Sequence, residues 1–176
     1  MQSPIPFLAD LLERKGYKFL IIGGLALQAS GYARATLDVD CMIAAEDLPK
    51  FHEAFLKAGY QQEAANDIVT RYIHESLLFP AVDVLLVNFA TFQKMWSDSR
   101  DYLLDEYSVR VPCLEHLIAL KLHAMKCDSA RIAKDHLDIE ALLRVNQGAI
   151  GHDQFQAICS RFGPADIAKT FGSSLF

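Results

Sequence analysis

The sequence predicts an α+β fold in which helices flank a mixed β-sheet and a helical segment follows towards the C-terminus. Strand-like runs alternate with helical ones through the first 111 residues, which suits a sheet covered by helices. Strand signals stop at Pro112 and helical periodicity takes over, so we expect residues 1–111 to form the α/β core and 112–176 to pack on it within one compact unit. The chain has 176 residues, of which 52% are hydrophobic and 22% charged, as in an ordinary globular domain.

Glycine and proline mark most of the predicted element boundaries. An apolar strand ends at Gly23-Gly24, the next helix stops at Gly31, an amphipathic helix closes at Gly59, and Pro112 opens the C-terminal helices. Alternating or β-branched runs predict strands, and apolar spacings of three and four predict helices. The predicted order is helix 7–14, strand 18–22, helix 25–30, strand 37–43, helix 46–57, strands 68–74 and 82–87, helix 91–96, strand 107–111, helices 114–126 and 131–143, and a further helical pair beyond His152.

Charge and cysteine content narrow the functional classes. A net charge of −5 argues against non-specific electrostatic binding of nucleic acid, although a local basic patch is compatible with that net charge. The four cysteines form no Cys-x-x-Cys pair, so they predict neither a zinc site nor a disulfide framework. No apolar run reaches the roughly 18 residues of a spanning helix, and the first ten residues lack a signal-peptide pattern. We therefore expect a cytoplasmic protein with no membrane partner.

Two aspartates on one predicted strand are the strongest sign of a chemical site. Asp38 and Asp40 are two residues apart, so they share a strand face with Cα atoms roughly 7 Å apart. Asp83 interrupts an apolar segment on a later strand and completes a triad if the two strands are neighbours. Magnesium prefers carboxylate, water and phosphate oxygens, and three carboxylates can hold two ions about 4 Å apart. These residues predict a site for one or two Mg²⁺ ions.

An acid pair on a strand also occurs on solvated outer faces, and the spacing alone does not separate the two interpretations. Asp83 favours a site, because an unpaired carboxylate buried among Val82, Val84 and their neighbours would be costly. Arg71 and His74, on a strand that lies between the acid-bearing strands in the sequence, are weaker candidates for the same cleft.

The residues that precede Asp38 are candidates for phosphate binding. Gly23 and Gly24 let the backbone turn tightly and approach a ligand, and the amides that begin the following helix can face phosphate oxygens. Arg34 and Thr36 can contact phosphate or brace the aspartates, and an ordinary loop role is equally compatible with their positions.

Together these residues resemble the polymerase-beta-like nucleotidyltransferase superfamily, in which a Gly-Gly or Gly-Ser turn precedes an Asp-x-Asp strand and a third acid. The similarity is closest to the bacterial group of abortive-infection (AbiEii) nucleotidyltransferase toxins. The positions that match its first block are Gly23, Gly24, Ala26, Leu27, Gly31, Arg34, Thr36, Asp38 and Asp40. The resemblance implies a nucleotidyltransferase fold, with Asp38, Asp40 and Asp83 catalytic and metal-binding and Gly23, Gly24, Arg34 and Thr36 binding the nucleotide.

A later stretch resembles the helical lysine and Lys-Asp-x-x-Asp elements of the same group. By that analogy Lys121 contacts triphosphate, and Asp135 or Asp138, beside Lys134, shapes the site or the acceptor pocket. The residues alone leave other interpretations open. Lys121 interrupts an apolar helical stripe and either reaches solvent or meets an anion, while Lys134 and Asp138, four apart, suit an exposed helix pair.

The predicted function is magnesium-dependent transfer of a nucleoside monophosphate from an NTP to an acceptor hydroxyl on a tRNA, a protein or a small molecule. The candidate partners are the NTP, that acceptor and a cognate antitoxin-like protein. A non-catalytic nucleotide- or protein-binding member of a toxin–antitoxin-like pair is the alternative, and a metal-dependent phosphohydrolase is a third interpretation. An intact set of three acids favours the enzyme over the binding module.

Overall fold

The computed structural model describes residues 5–13, 15–76, 78–104 and 106–176. Arg14, the last residue of the predicted first helix, lies outside these ranges. The helices are α1 Ile5–Glu13, α2 Gly23–Ala29, α3 Leu48–Lys57, α4 Phe89–Ser97, α5 Leu114–Cys127, α6 Ile132–Val145 and α7 His152–Phe162. The strands are β1 Leu20–Ile21, β2 Val39–Ala44, β3 Tyr60–Ala65, β4 Val69–His74, β5 Val82–Val87, β6 Arg100–Leu104 and β7 Tyr107–Val111.

The predicted mixed sheet is confirmed, and it has five strands in the order β1-β2-β5-β4-β3. Strands β2 and β5 are parallel neighbours, whereas β1 pairs antiparallel with β2, β4 with β5, and β3 with β4. A separate antiparallel hairpin joins β6 to β7. The parallel pair at the centre of the sheet therefore contains both acid-bearing strands.

Three apolar clusters hold the layers together. One face of the sheet packs against α1, α3 and the β6–β7 hairpin, through residues such as Phe51 and Val84. The opposite face packs against α4, where Met42 meets Phe92. A third cluster joins α2 to α5, α6 and α7, so the C-terminal helices are tied to the core through Leu27 and its neighbours.

The first glycine pair begins a helix instead of preceding it. We predicted that the helix starts at Leu25, whereas Gly23 and Gly24 form its first turn. Its end agrees with the prediction, because Gly31 has a φ of 89° and its amide donates to Gln28 while that of Tyr32 donates to Leu27. These two hydrogen bonds satisfy carbonyls at the end of the helix.

Strands β3 and β6 were not predicted from the sequence. Strand β3 is exposed at every residue after Tyr60, so it has no apolar face that would reveal an alternating pattern.

Strand β7 ends at Val111 and α5 begins at Leu114, and the division of the chain at residue 112 stays a prediction. None of the described helices combines the length and the apolar character needed to cross a membrane.

Candidate active site

The three predicted acids come together on one face of the central parallel pair. Asp40 on β2 is the direct cross-strand partner of Asp83 on β5, and Asp38 lies one residue before β2 begins. This is the face that carries Met42 and Leu85, so the side-chain alternation predicted for the strand holds. The Thr36 hydroxyl donates to the Asp38 carbonyl over 3.1 Å, which braces the chain just before the strand.

Asp40 is a poorly compensated carboxylate. Burial raises its pKa, the nearby Asp83 and Asp38 raise it further, and Arg131 and Lys121 oppose that effect. Among the described residues, none donates a hydrogen bond to the Asp40 carboxylate. A partly buried anion without a partner stabilises the binding of any cation that can reach it.

Gly23 lies directly against this carboxylate. Its φ of 60° is in the left-handed region, and a Cβ built there would lie 2.0 Å from Asp40 Oδ2. Gly24 is buried, and a Cβ on it would lie 2.7 Å from the Thr36 Cβ. The two glycines therefore let α2 approach the segment that bears the acids.

Arg71 on β4 binds three carboxylates at once. It is the cross-strand partner of Asp83, and its guanidinium donates to Asp83 over 2.7 Å, to Asp38 over 3.4 Å and to Glu63 over 3.1 Å. Burial raises the pKa of Asp83, and the ion pair with Arg71 works against that rise. Sequence reasoning placed Arg71 among the weaker cleft candidates and missed Glu63 altogether.

The donor chemistry of this wall fits a hard divalent cation. Asp38, Asp40 and Asp83 supply carboxylate oxygens of the kind that Mg²⁺ prefers, and Asp40 is desolvated. In the part of the chain that the structure describes, no three His, Cys, Asp or Glu side chains are grouped to hold a metal ion. The Arg71 guanidinium forms ion pairs with both Asp38 and Asp83 and supplies positive charge there.

A buried ion network joins side chains of α5, α6 and the segment before β2. Lys121 on α5 is 5% exposed, and its ammonium donates to Asp135 over 2.9 Å and to Asp138 over 2.6 Å. Arg131 donates to Asp135 over 2.9 Å, and Arg34 binds both oxygens of Asp138 over 3.0 and 3.3 Å. Three cations thus share two carboxylates, and Arg34 connects the segment before β2 to α6.

This network settles two alternatives left open by the sequence. Lys121 does meet anions, and they are the carboxylates of Asp135 and Asp138. The expected exposed pair between Lys134 and Asp138 was wrong, because Asp138 is buried and turned towards Lys121 and Arg34. Helical spacing of four residues allowed that pair, but the tertiary contact with α5 took the carboxylate inside.

A cleft of about 630 Å³ lies between the sheet and α5. We call its two sides the acid wall and the cationic wall. The acid wall contains Asp38, Asp40 and Asp83, and the cationic wall contains Arg34, Lys121, Arg131 and Lys134. Among the predicted site residues, those that line it are Gly23, Arg34, Thr36, Asp38, Asp40, Asp83, Lys121 and Lys134. Gly24, Asp135 and Asp138 lie behind its surface. Arg131, which was not among the predicted site residues, also lines the cleft, and its side chain is half exposed.

Comparison with known proteins bears on the fold. No protein-family model and no curated protein matches the chain. Solved structures do match it, among them the lincosamide antibiotic adenylyltransferase LnuA with bound lincomycin, at 18% identity over 77% of this chain and 92% of that one, with a TM-score of 0.56.

Two further structures cover more of the chain. The antibiotic-resistance factor ANT(2'')-Ia has a TM-score of 0.65 at 13% identity, over 90% of this chain and 88% of that one. An antigenic nucleotidyltransferase-like protein from Paracoccidioides brasiliensis has a TM-score of 0.57 at 14% identity, over 89% and 84%. The mixed sheet, its flanking helices and these matches show that the chain has the nucleotidyltransferase fold.

Proposed function

We propose that this protein is a nucleotidyltransferase that moves a nucleoside monophosphate from an NTP to a hydroxyl group of an acceptor, whose oxygen attacks the α-phosphorus while pyrophosphate leaves. The observation that carries the proposal is the cleft itself, in which Asp38, Asp40 and Asp83 face a cationic wall across the nucleotidyltransferase fold. Phosphoryl transfer needs little covalent chemistry from a protein, and its rate depends on positioning and on compensation of charge. A cleft with one wall of each sign suits both requirements.

On the acid wall, Asp38 and Asp40 would hold a divalent cation, with Asp83 joining them or a second ion. A bound Mg²⁺ supplies neutralisation of the triphosphate charge and polarisation of the phosphorus under attack. Asp83, on the neighbouring strand, also accepts the proton of the acceptor hydroxyl. Gly23 lets the start of α2 lie directly against Asp40, because a side chain at that position would collide with the carboxylate.

On the cationic wall, Arg131 and Lys134 have exposed ends and bind the triphosphate oxygens. Lys121 lines the cleft but is nearly buried, and it contributes its charge from a position in which Asp135 and Asp138 fix its ammonium. Arg34 is part of the same network and lines the cleft, so it holds the segment that carries Asp38 in register with α6.

We propose a small molecule as the acceptor. The name of LnuA describes transfer of an adenylyl group to a lincosamide antibiotic, and ANT(2'')-Ia was solved with adenylyl-2''-tobramycin. Each of these proteins matches most of this chain in structure. Membership of the abortive-infection toxin group, a tRNA or protein acceptor and an antitoxin-like partner stay predictions from the sequence resemblance.

Labelled nucleotide provides the test. The purified protein is incubated with each α-³²P-labelled NTP in turn, with Mg²⁺ and with a total cell extract separated into small-molecule, RNA and protein fractions. We expect label to appear in one fraction with one preferred NTP, and we expect Asp40→Asn to reduce that transfer by about 10²–10³-fold, as loss of one central electrostatic group does in other enzymes.

Asp153→Asn is the matched control, because it removes the same charge from a fully exposed position on α7. Release of labelled monophosphate into water without transfer would replace the proposal with the phosphohydrolase. Mg²⁺-dependent nucleotide binding without any product would replace it with the binding module. Transfer by Asp40→Asn at the wild-type rate would show that the reaction does not need the Asp40 carboxylate, and it would contradict the role proposed for the acid wall.

A further inference from the structure

Arg71 is saturated with carboxylates. Its Nε binds Glu63, one terminal nitrogen binds Asp83 and the other binds Asp38, so each nitrogen of the guanidinium donates to an anion. Two of these three partners are residues that the proposed function needs as metal ligands. An arginine is always charged and prefers such forked contacts with carboxylates. It therefore competes with a divalent cation for the same oxygens.

The third partner is presented by an irregularity in the sheet. Strand β3 pairs with β4 through Gln62 opposite Tyr72 and through Ala64 opposite Arg71, so Glu63 is an extra residue in a β-bulge. A bulge turns a side chain away from the direction that regular pairing would give it. Here the Glu63 carboxylate lies 3.1 Å from Arg71 Nε, whereas the cleft acids bind the two terminal nitrogens.

We propose that Arg71 is a positioning residue that acts as a built-in counterion of the acid wall, and that Glu63 retains its guanidinium when a divalent cation takes Asp38 and Asp83. The inference rests on the proposed function, since it assumes that these acids bind the cation. With Arg71 in place, its positive charge offsets the mutual repulsion of Asp38 and Asp83 in the empty cleft. With the cation in place Arg71 stays at the edge of the cleft instead of swinging into solvent.

Two variants should change metal affinity in opposite directions. Arg71→Gln removes the competing charge and should tighten Mn²⁺ binding by the protein alone on the order of ten-fold, given the Coulomb interaction between charges a few ångströms apart. Glu63→Gln takes away the retaining carboxylate, so displacement of Arg71 costs more and Mn²⁺ binding should weaken about three-fold. Isothermal titration of Mn²⁺ without nucleotide measures both dissociation constants, and electron paramagnetic resonance of free Mn²⁺ checks them.

The double variant identifies the route by which Glu63 acts. If Glu63 works through Arg71, the combined Glu63→Gln and Arg71→Gln protein should bind Mn²⁺ as Arg71→Gln does, within experimental error. If Glu63 were itself a ligand, the double variant would bind more weakly than Arg71→Gln, and the retaining role would be overturned. Arg71→Lys keeps the charge but loses the fork, and its dissociation constant should lie between those of the wild type and Arg71→Gln.

The controls are Arg144→Gln and Glu140→Gln, which change the net charge equally at an exposed pair on α6 that does not line the cleft. They should leave the Mn²⁺ dissociation constant unchanged. Unchanged or weaker binding by both Arg71→Gln and Arg71→Lys would overturn the inference while leaving the proposed function intact. Equal Mn²⁺ binding by the wild type and Asp40→Asn would instead overturn the metal site on which both rest.

Discussion

Lys121→Met should destabilise the protein strongly, even though the change replaces a charged residue with an apolar one in a buried position. Lys121 and its partners Asp135 and Asp138 are all nearly inaccessible, at 5%, 0% and 2% exposed. Removal of one member of a buried ion pair costs about 3–5 kcal/mol, because the other charge is left uncompensated. Asp135 keeps Arg131 and Asp138 keeps Arg34, so we expect the lower end, about 3 kcal/mol.

Urea and thermal unfolding measure this loss. At roughly 2–4 °C per kcal/mol for a protein of this size, the Tm should fall by about 6–12 °C. Lys169→Met is the matched control, because Lys169 forms an ion pair with Asp166 in which both side chains are more than 70% exposed. Such exposed pairs contribute little, so its Tm should stay close to that of the wild type.

A triple variant tests the reason for the loss. If unpaired carboxylates cause it, Lys121→Met combined with Asp135→Asn and Asp138→Asn should recover a large part of the stability, since no buried anion then faces a missing cation. A triple variant less stable than Lys121→Met would refute this reasoning. So would a single variant no less stable than Lys169→Met.

The remaining predictions concern Asp40 and the glycine beside it. Because burial and neighbouring acids raise the Asp40 pKa, the folded state binds this proton more tightly than the unfolded state, and ionisation costs stability as pH rises through the raised pKa. Asp40→Asn should therefore raise the Tm at pH 7, and this gain should disappear below pH 3.8, the ordinary pKa of aspartate. The control Asp153→Asn should show no such gain. An equal Tm for Asp40→Asn and wild type at pH 7 would contradict this. Gly23→Ala and Gly16→Ala place Cβ at similar positive φ, 60° and 63°, but only Gly23 would meet another atom, so Gly23→Ala should cost about 1–3 kcal/mol more in urea unfolding. Equal losses in the two alanine variants would mean that Asp40 moves aside freely.

The sequence was informative where a pattern repeats over several residues. Alternation along β2 predicted that Asp38 and Asp40 share a strand face, and the apolar residues around Asp83 predicted that its carboxylate needs a partner. It did not predict the register, because parallel neighbours have no turn between them to set it. The direct pairing of Asp40 with Asp83 follows from the way the whole sheet packs.

The sequence did not predict those parts of the site that depend on single tertiary contacts. Glu63 reaches Arg71 only because a bulge interrupts an exposed strand, and neither the bulge nor the strand leaves a periodic signal. Asp138 lies four residues after Lys134, which suits a local helix pair, yet its contacts are with α5 and with the loop before β2. An unpaired lysine on an apolar stripe, as at Lys121, was the available sign that a buried acid lay opposite.

The two walls of the cleft are compensated unequally, and this inequality bears on what the cleft can bind. No described side chain donates a hydrogen bond to Asp40, whereas the hydrogen-bonded network behind the other wall links three cations to two carboxylates, and Asp40 and Asp128 attract Arg131 from a greater distance. A cation alone would offset the negative charge of the acid wall, and an anion alone would offset the positive charge of the cationic wall. A divalent cation bound to a triphosphate brings both charges in one ligand, so its binding stabilises the folded protein through both walls at once. Binding of the cation and the triphosphate therefore removes the electrostatic repulsion that Asp40 causes in the empty protein, and this contributes to their affinity.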